Sequence, residues 1–90
     1  MDSVRFSIFG RVQGVNMRRM VQDKACDLGI SGYVYNDESS SSVVHGFLQG
    51  DRVDELLDFI RSSPGFSEVE SVEVFDVGFD ENVVDFRILR

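Results

Sequence analysis

The sequence predicts an α+β fold: one domain, residues 1–90, in which a mostly antiparallel sheet carries two helices on one face. Three observations predict it. Val4, Phe6 and Ile8 alternate with Arg5 and Ser7, the period-two signature of a strand with one buried face. Met17, Met20, Val21, Ala25 and Leu28 recur at helical spacing, and so do Val53, Leu56, Leu57 and Ile60. Short runs rich in β-branched and aromatic residues fill the space between and after these helices.

The first strand leads into Gly10-Arg11-Val12-Gln13-Gly14-Val15-Asn16-Met17-Arg18. Asn16 is the expected N-cap of the helix that follows. Gly29, just after Leu28, is its expected stop, because glycine enters the left-handed conformation cheaply. Gly32-Tyr33-Val34-Tyr35-Asn36 reads as the second strand. Asp37, Glu38 and the four serines 39–42 form a polar turn that should be mobile, and Val43 to Gln49 returns as the third strand of a hairpin. Asp51 is the expected cap of the second helix, which Ser62-Ser63-Pro64-Gly65 ends. Val72 and Val74 share one parity while Phe75, Val77 and Phe79 share the other. That switch predicts a bulge or bend near Val74. Val84, Phe86 and Ile88 make a last short strand. The order is the ferredoxin-like βαββαβ sandwich with a short extra C-terminal strand. This plan hosts many chemistries, so it decides none.

Composition narrows the function. Forty-two per cent hydrophobic residues and eight phenylalanines, expected mostly in the core with Phe79 and Phe86 also candidates for an open-face patch, describe a folded globule. Sixteen acidic against nine basic residues give a net charge of -7, which argues against a nucleic-acid partner. The single cysteine, Cys26, excludes an internal disulfide and a cysteine-based metal cluster, and its place in a helical pattern suggests a small buried or half-buried thiol. No signal-peptide pattern and no run of about 18 apolar residues is present, so a cytoplasmic protein without a membrane partner is expected. His45 reads as a strand surface residue, Arg19 as a solvated helix residue, and Asp76, Asp80, Glu81 and Asp85 as a solvated edge and turn.

Residues 10–18 have the equipment for a phosphate-sized anion. The early amides of a helix have no internal partners and carry partial positive charge. Gly14 permits a close backbone approach, and Asn16 tolerates left-handed geometry. Arg18 offers a planar fork of donors that fits two phosphate oxygens. The alternative is an ordinary glycine-containing turn followed by a solvated arginine. Asn36 has the same two faces: its carboxamide can hold a water, or it simply begins a turn.

Gly10-Arg11-Val12-Gln13-Gly14-Val15 followed by Arg18 resembles the G-x-V-Q-G-V-x-x-R signature of the acylphosphatase family. Gly32-Tyr33-Val34-Tyr35-Asn36 resembles its second signature, G-x-V-x-N, in the expected order. The resemblance spans almost the whole chain. It implies a hydrolase of acyl phosphates that uses no metal, no cofactor and no covalent intermediate. Arg18 and the amides of Gln13, Gly14, Val15, Asn16 and Met17 would bind the phosphate, and Asn36 would orient the attacking water. Inorganic phosphate or sulfate would fit the same site, and a monomer is expected. Two departures stand out: Asn16-Met17 replaces the family's usual Gly-Phe or Phe-Phe, and an acidic, serine-rich turn replaces the usual Asp-Gly. They motivate a second reading, a catalytically weak module that binds anions or proteins.

Overall fold

A computed structural model of the chain covers residues 1–90. Strands β1 (Asp2–Arg11), β2 (Ser31–Asn36), β3 (Val43–Gly50), β4 (Glu68–Asp76) and β5 (Phe86–Ile88) make one sheet, with helices α1 (Met17–Asp27) and α2 (Val53–Arg61) between them in the chain. The strand order is β4-β1-β3-β2-β5. β1 pairs antiparallel with both β3 and β4, β2 pairs antiparallel with β3, and β5 runs parallel to β2. This is the ferredoxin-like plan with its extra strand.

Side-chain alternation decides which face receives the helices. Val4, Phe6 and Ile8 of β1, Val34 of β2, and Val44 and Leu48 of β3 meet Met17, Val21 and Ala25 of α1 and Val53, Leu56, Leu57 and Ile60 of α2 in one core. Each such buried side chain is worth roughly 1.5–3 kcal/mol relative to exposure. Phe6 faces Gly46 across the β1–β3 pairing, and a Cβ at Gly46 would lie 2.5 Å from the Phe6 ring. The glycine makes room for the ring. On the opposite face Gln49 is buried; its Nε2 donates to the carbonyls of Asp80 (2.8 Å) and Val83 (3.0 Å), and its Oε1 accepts from the Asp80 amide (3.0 Å). That residue pins the connection between β4 and β5.

Several expectations need correction. No bulge lies near Val74. The register of β4 on β1 is continuous through Val74 and Phe75 and shifts instead between Phe9 and Gly10, where Ser71 and Val69 are the successive partners. Glu70 is therefore the extra residue. Phe75 changes parity because it lies on the open face, 57% exposed, and Phe66 and Phe79 are exposed too. Phe86, in contrast, belongs to the core. Val84 is exposed and precedes β5. Cys26 is exposed, because the buried stripe of α1 runs through Met17, Val21 and Ala25 and turns the next residue to solvent. The N-cap of α2 is Arg52, not Asp51, and no side chain caps it; Asp54 and Glu55 in the first turn face the positive end of the helix dipole instead.

The two faces differ in what they contribute to stability. Leu56→Ala should cost about 2–5 kcal/mol in urea unfolding. Phe75→Ala should stay within about 0.5 kcal/mol of wild type.

Candidate active site

The chain leaves β1 at Arg11 and enters α1 at Met17, and both ends of this connection are anchored in the core by Val12 and Met17, each 1% exposed. Gly14 (φ 75°) and Asn16 (φ 62°) take left-handed backbone conformations. Asn16 does stand at the N-cap position, but its side chain makes no capping bond. The αL backbone is what it supplies, and asparagine is among the few non-glycine residues that adopt it readily. No main-chain carbonyl accepts from the amides of residues 13–19; the first bond of the helix runs from the Met20 amide to the Asn16 carbonyl at 2.9 Å. The first turn of α1 contains no acidic residue. A row of free amides at a positive helix end, with no acidic side chain to fill it, has the form of a cradle that can hold an anion.

Asn36 is the last residue of β2, and alternation puts it on the helix side of the sheet, with Val34. Its Oδ1 is buried and has no hydrogen-bond partner. Arg18, in the first turn of α1, holds its Nη1 at 3.5 Å from the Leu89 carbonyl. Gln13 does something its place in the cradle did not suggest. Its Nε2 donates to the carbonyls of Val43 (2.7 Å) and Ser40 (2.8 Å), with Asp37 O at 3.4 Å, tying the cradle to the β2–β3 hairpin.

The serine-rich turn is tied down as well. Asp37 points to the open face, away from the cradle: Oδ1 lies 2.7 Å from His45 Nε2, while Oδ2 accepts from the amides of Ser39 (3.1 Å) and Ser40 (2.9 Å). His45 Nδ1 lies 2.8 Å from Ser7 Oγ. His45 is thus a half-buried link in a hydrogen-bonded chain rather than a free surface residue. The bond to His45, helped by the Ser39 and Ser40 amides against partial desolvation, holds the Asp37 carboxyl below its ordinary pKa of 3.8.

Two adjoining clefts result. The smaller, about 300 Å³, is lined by Gln13, Gly14, Asn16, Met17, Arg18 and Asn36, together with Val12, Arg19, Ile88 and Arg90. It is lined by three arginines and by no Asp or Glu side chain, in a chain of net charge -7. Val15 does not line it; this side chain packs against the core. The larger cleft, about 750 Å³, shares Arg18, Asn36 and Arg90 and continues past Tyr35, Asp37, Glu38, Ser39, His45 and Leu89. Arg90 was not anticipated, and no sequence pattern marks it; the parallel pairing of β5 with β2 brings the chain's end there. Arg19 pairs with Asp23 at 3.5 Å and is largely solvated, as expected, although it also edges the smaller cleft.

The acylphosphatase family model matches residues 4–88. An acylphosphatase of Methanococcoides burtonii is 40% identical over 86 residues, covering 92% of this chain and 86% of the relative. The crystal structure of acylphosphatase from Bacillus subtilis superposes with a TM-score of 0.90 at 26% identity, covering both chains fully. An acylphosphatase structure from Coxiella burnetii gives 0.89 at 27% identity, covering 98% of this chain and 92% of that one.

The depressed Asp37 carboxyl makes the hairpin clamp sensitive to acid. A group that ionises more readily in the folded state adds stability above its unfolded pKa and loses that contribution as pH falls through the folded value. Below about pH 4, the wild type should therefore lose melting temperature more steeply than Asp37→Asn. Parallel curves would contradict the clamp.

Proposed function

The chain belongs to the acylphosphatase family, and we propose that it hydrolyses the carboxyl–phosphate bond of acyl phosphates to a carboxylate and inorganic phosphate. It is a hydrolase. The observation that carries the mechanism is that Asn36, whose carboxamide oxygen has no hydrogen-bond partner in the protein, lines the same small cleft as Arg18 and the cradle residues with free amides.

The phosphoryl group sits in the smaller cleft, on the amides of Gln13, Gly14, Val15, Asn16 and Met17, with the Arg18 guanidinium across two of its oxygens. The acyl group extends into the larger cleft. A carboxamide oxygen accepts two hydrogen bonds, so Asn36 Oδ1 holds a water by one O–H and presents its oxygen to phosphorus. Attack forms the new P–O bond as the bond to the carboxylate breaks, and the water's proton passes to a phosphate oxygen. Acyl phosphates carry a good leaving group. Fixed donors and a positioned nucleophile therefore suffice, and no side-chain nucleophile or metal enters the scheme.

The Asn16-Met17 departure from the family pattern does not argue against this. Asn16 adopts the left-handed geometry that a glycine would, and Met17 fills a core position. A monomer is part of the same reading. No helix is long and apolar enough to cross a membrane, and a cytoplasmic location is part of the same reading.

Hydrolysis of an aryl acyl phosphate without added metal tests the proposal. Arg18→Gln and Asn36→Ala should each lower turnover about 10²–10³-fold, the scale of a lost oxyanion donor. Wild-type turnover no faster than that of the variants contradicts it. Phosphate binding without turnover would identify a non-catalytic anion-binding module.

A further inference from the structure

We propose that His45 is a positioning residue for hydrolysis: acting through Asp37, it fixes the carboxamide of Asn36. This rests on the hydrolase reading and adds to it a residue outside both signatures.

The Asn36 side chain has no hydrogen bond of its own in the protein, and its Oδ1 is buried without a partner. Its orientation is therefore set by the main chain on either side. On one side Asn36 is held in register opposite Val44. On the other is Asp37, whose amide donates to the Val43 carbonyl at 3.0 Å and whose side chain is locked to His45 at 2.7 Å. The Asp37 amide bond carries the hairpin ladder one residue past the end of β2, and successive residues of such an extended segment point to opposite faces. Anchoring Asp37 on the open face thus fixes the direction in which Asn36 leaves the helix face.

The anchor reaches the middle of the sheet. Ser7 is in β1, which is paired on both edges, and is the cross-strand partner of His45. One tautomer satisfies the whole chain: Nε2–H donates to Asp37 Oδ1, and Nδ1 accepts the Ser7 hydroxyl proton. An imidazolium would donate to both. Ser, His and Asp are also the residue types of a nucleophilic triad, but Ser7 lies in a strand hydrogen-bonded on both edges. No free main-chain amide stands beside its Oγ to hold an oxyanion. The trio braces; it does not attack.

Histidine's two nitrogens can be mimicked separately. Glutamine places an amide nitrogen at about the reach of Nε2, whereas asparagine reaches only as far as Nδ1. With an aryl acyl phosphate, His45→Asn should lower kcat about tenfold. His45→Gln should retain most of it, and competitive inhibition by inorganic phosphate should be unchanged in both. Melting temperatures of the two variants serve to separate positioning from general destabilisation. Asp37→Ala should reproduce the His45→Asn loss. In an Asn36→Ala background, His45→Asn should have no further effect on kcat, because both act on one group. Three results would overturn the inference: wild-type kcat in His45→Asn, equal losses in the Asn and Gln variants, or additivity with Asn36→Ala. An inactive wild type would overturn the hydrolase reading itself, and this inference with it.

Discussion

The site depends on one constraint: the chain must pass from β1 into α1 without using its own amides. The main-chain amides of residues 13–19 donate to no main-chain carbonyl, and a loop with that many free donors would collapse into local turns if it were not held from outside. Val12 and Met17 hold it by burial at each end. The left-handed residues Gly14 and Asn16 hold the direction of its amides. The Gln13 carboxamide holds it sideways, to the hairpin. The cradle is thus preorganised by groups that leave its donors free, and preorganised donors are what make electrostatic stabilisation effective.

The same constraint explains how an acidic protein can hold an anion. Long-range attraction is not available from a net charge of -7. What the proposed site offers is short-range: three arginines and a helix end around a cleft lined by no Asp or Glu side chain. Asp37 and Glu38 follow Asn36 directly in sequence, yet the strand's alternation and the bond to His45 turn the Asp37 charge to the other face. Its negative charge serves as a structural anchor, lining the larger cleft and not the smaller one.

Much of this was legible in the sequence. Periodicity located both helices and the sheet strands, since the core face of each is regular. Arg18 and Asn36, which the structure brings to one cleft, could be singled out because each ends a short signature whose glycines and valines mark a local conformation. What was not legible depends on long-range register. The roles of Arg90 and Ile88 require the parallel pairing of β5 with β2. The Ser7–His45–Asp37 chain requires the antiparallel register of β1, β2 and β3 together with the length of one serine-rich turn. Phe75 looked like core because its hydrophobicity is plain while the emptiness of the face beneath it is not. Of the two reasons the sequence offered for Asn16, the left-handed backbone holds, and the side-chain cap does not form.

The cradle is tested most directly by titrating the protein with inorganic phosphate while following backbone amide resonances. Saturable shifts confined to the amides of residues 13–18, and abolished by Arg18→Gln, are the predicted result. Phosphate-induced shifts elsewhere on the molecule, with those amides unmoved, would contradict the assignment of this loop as the phosphate site.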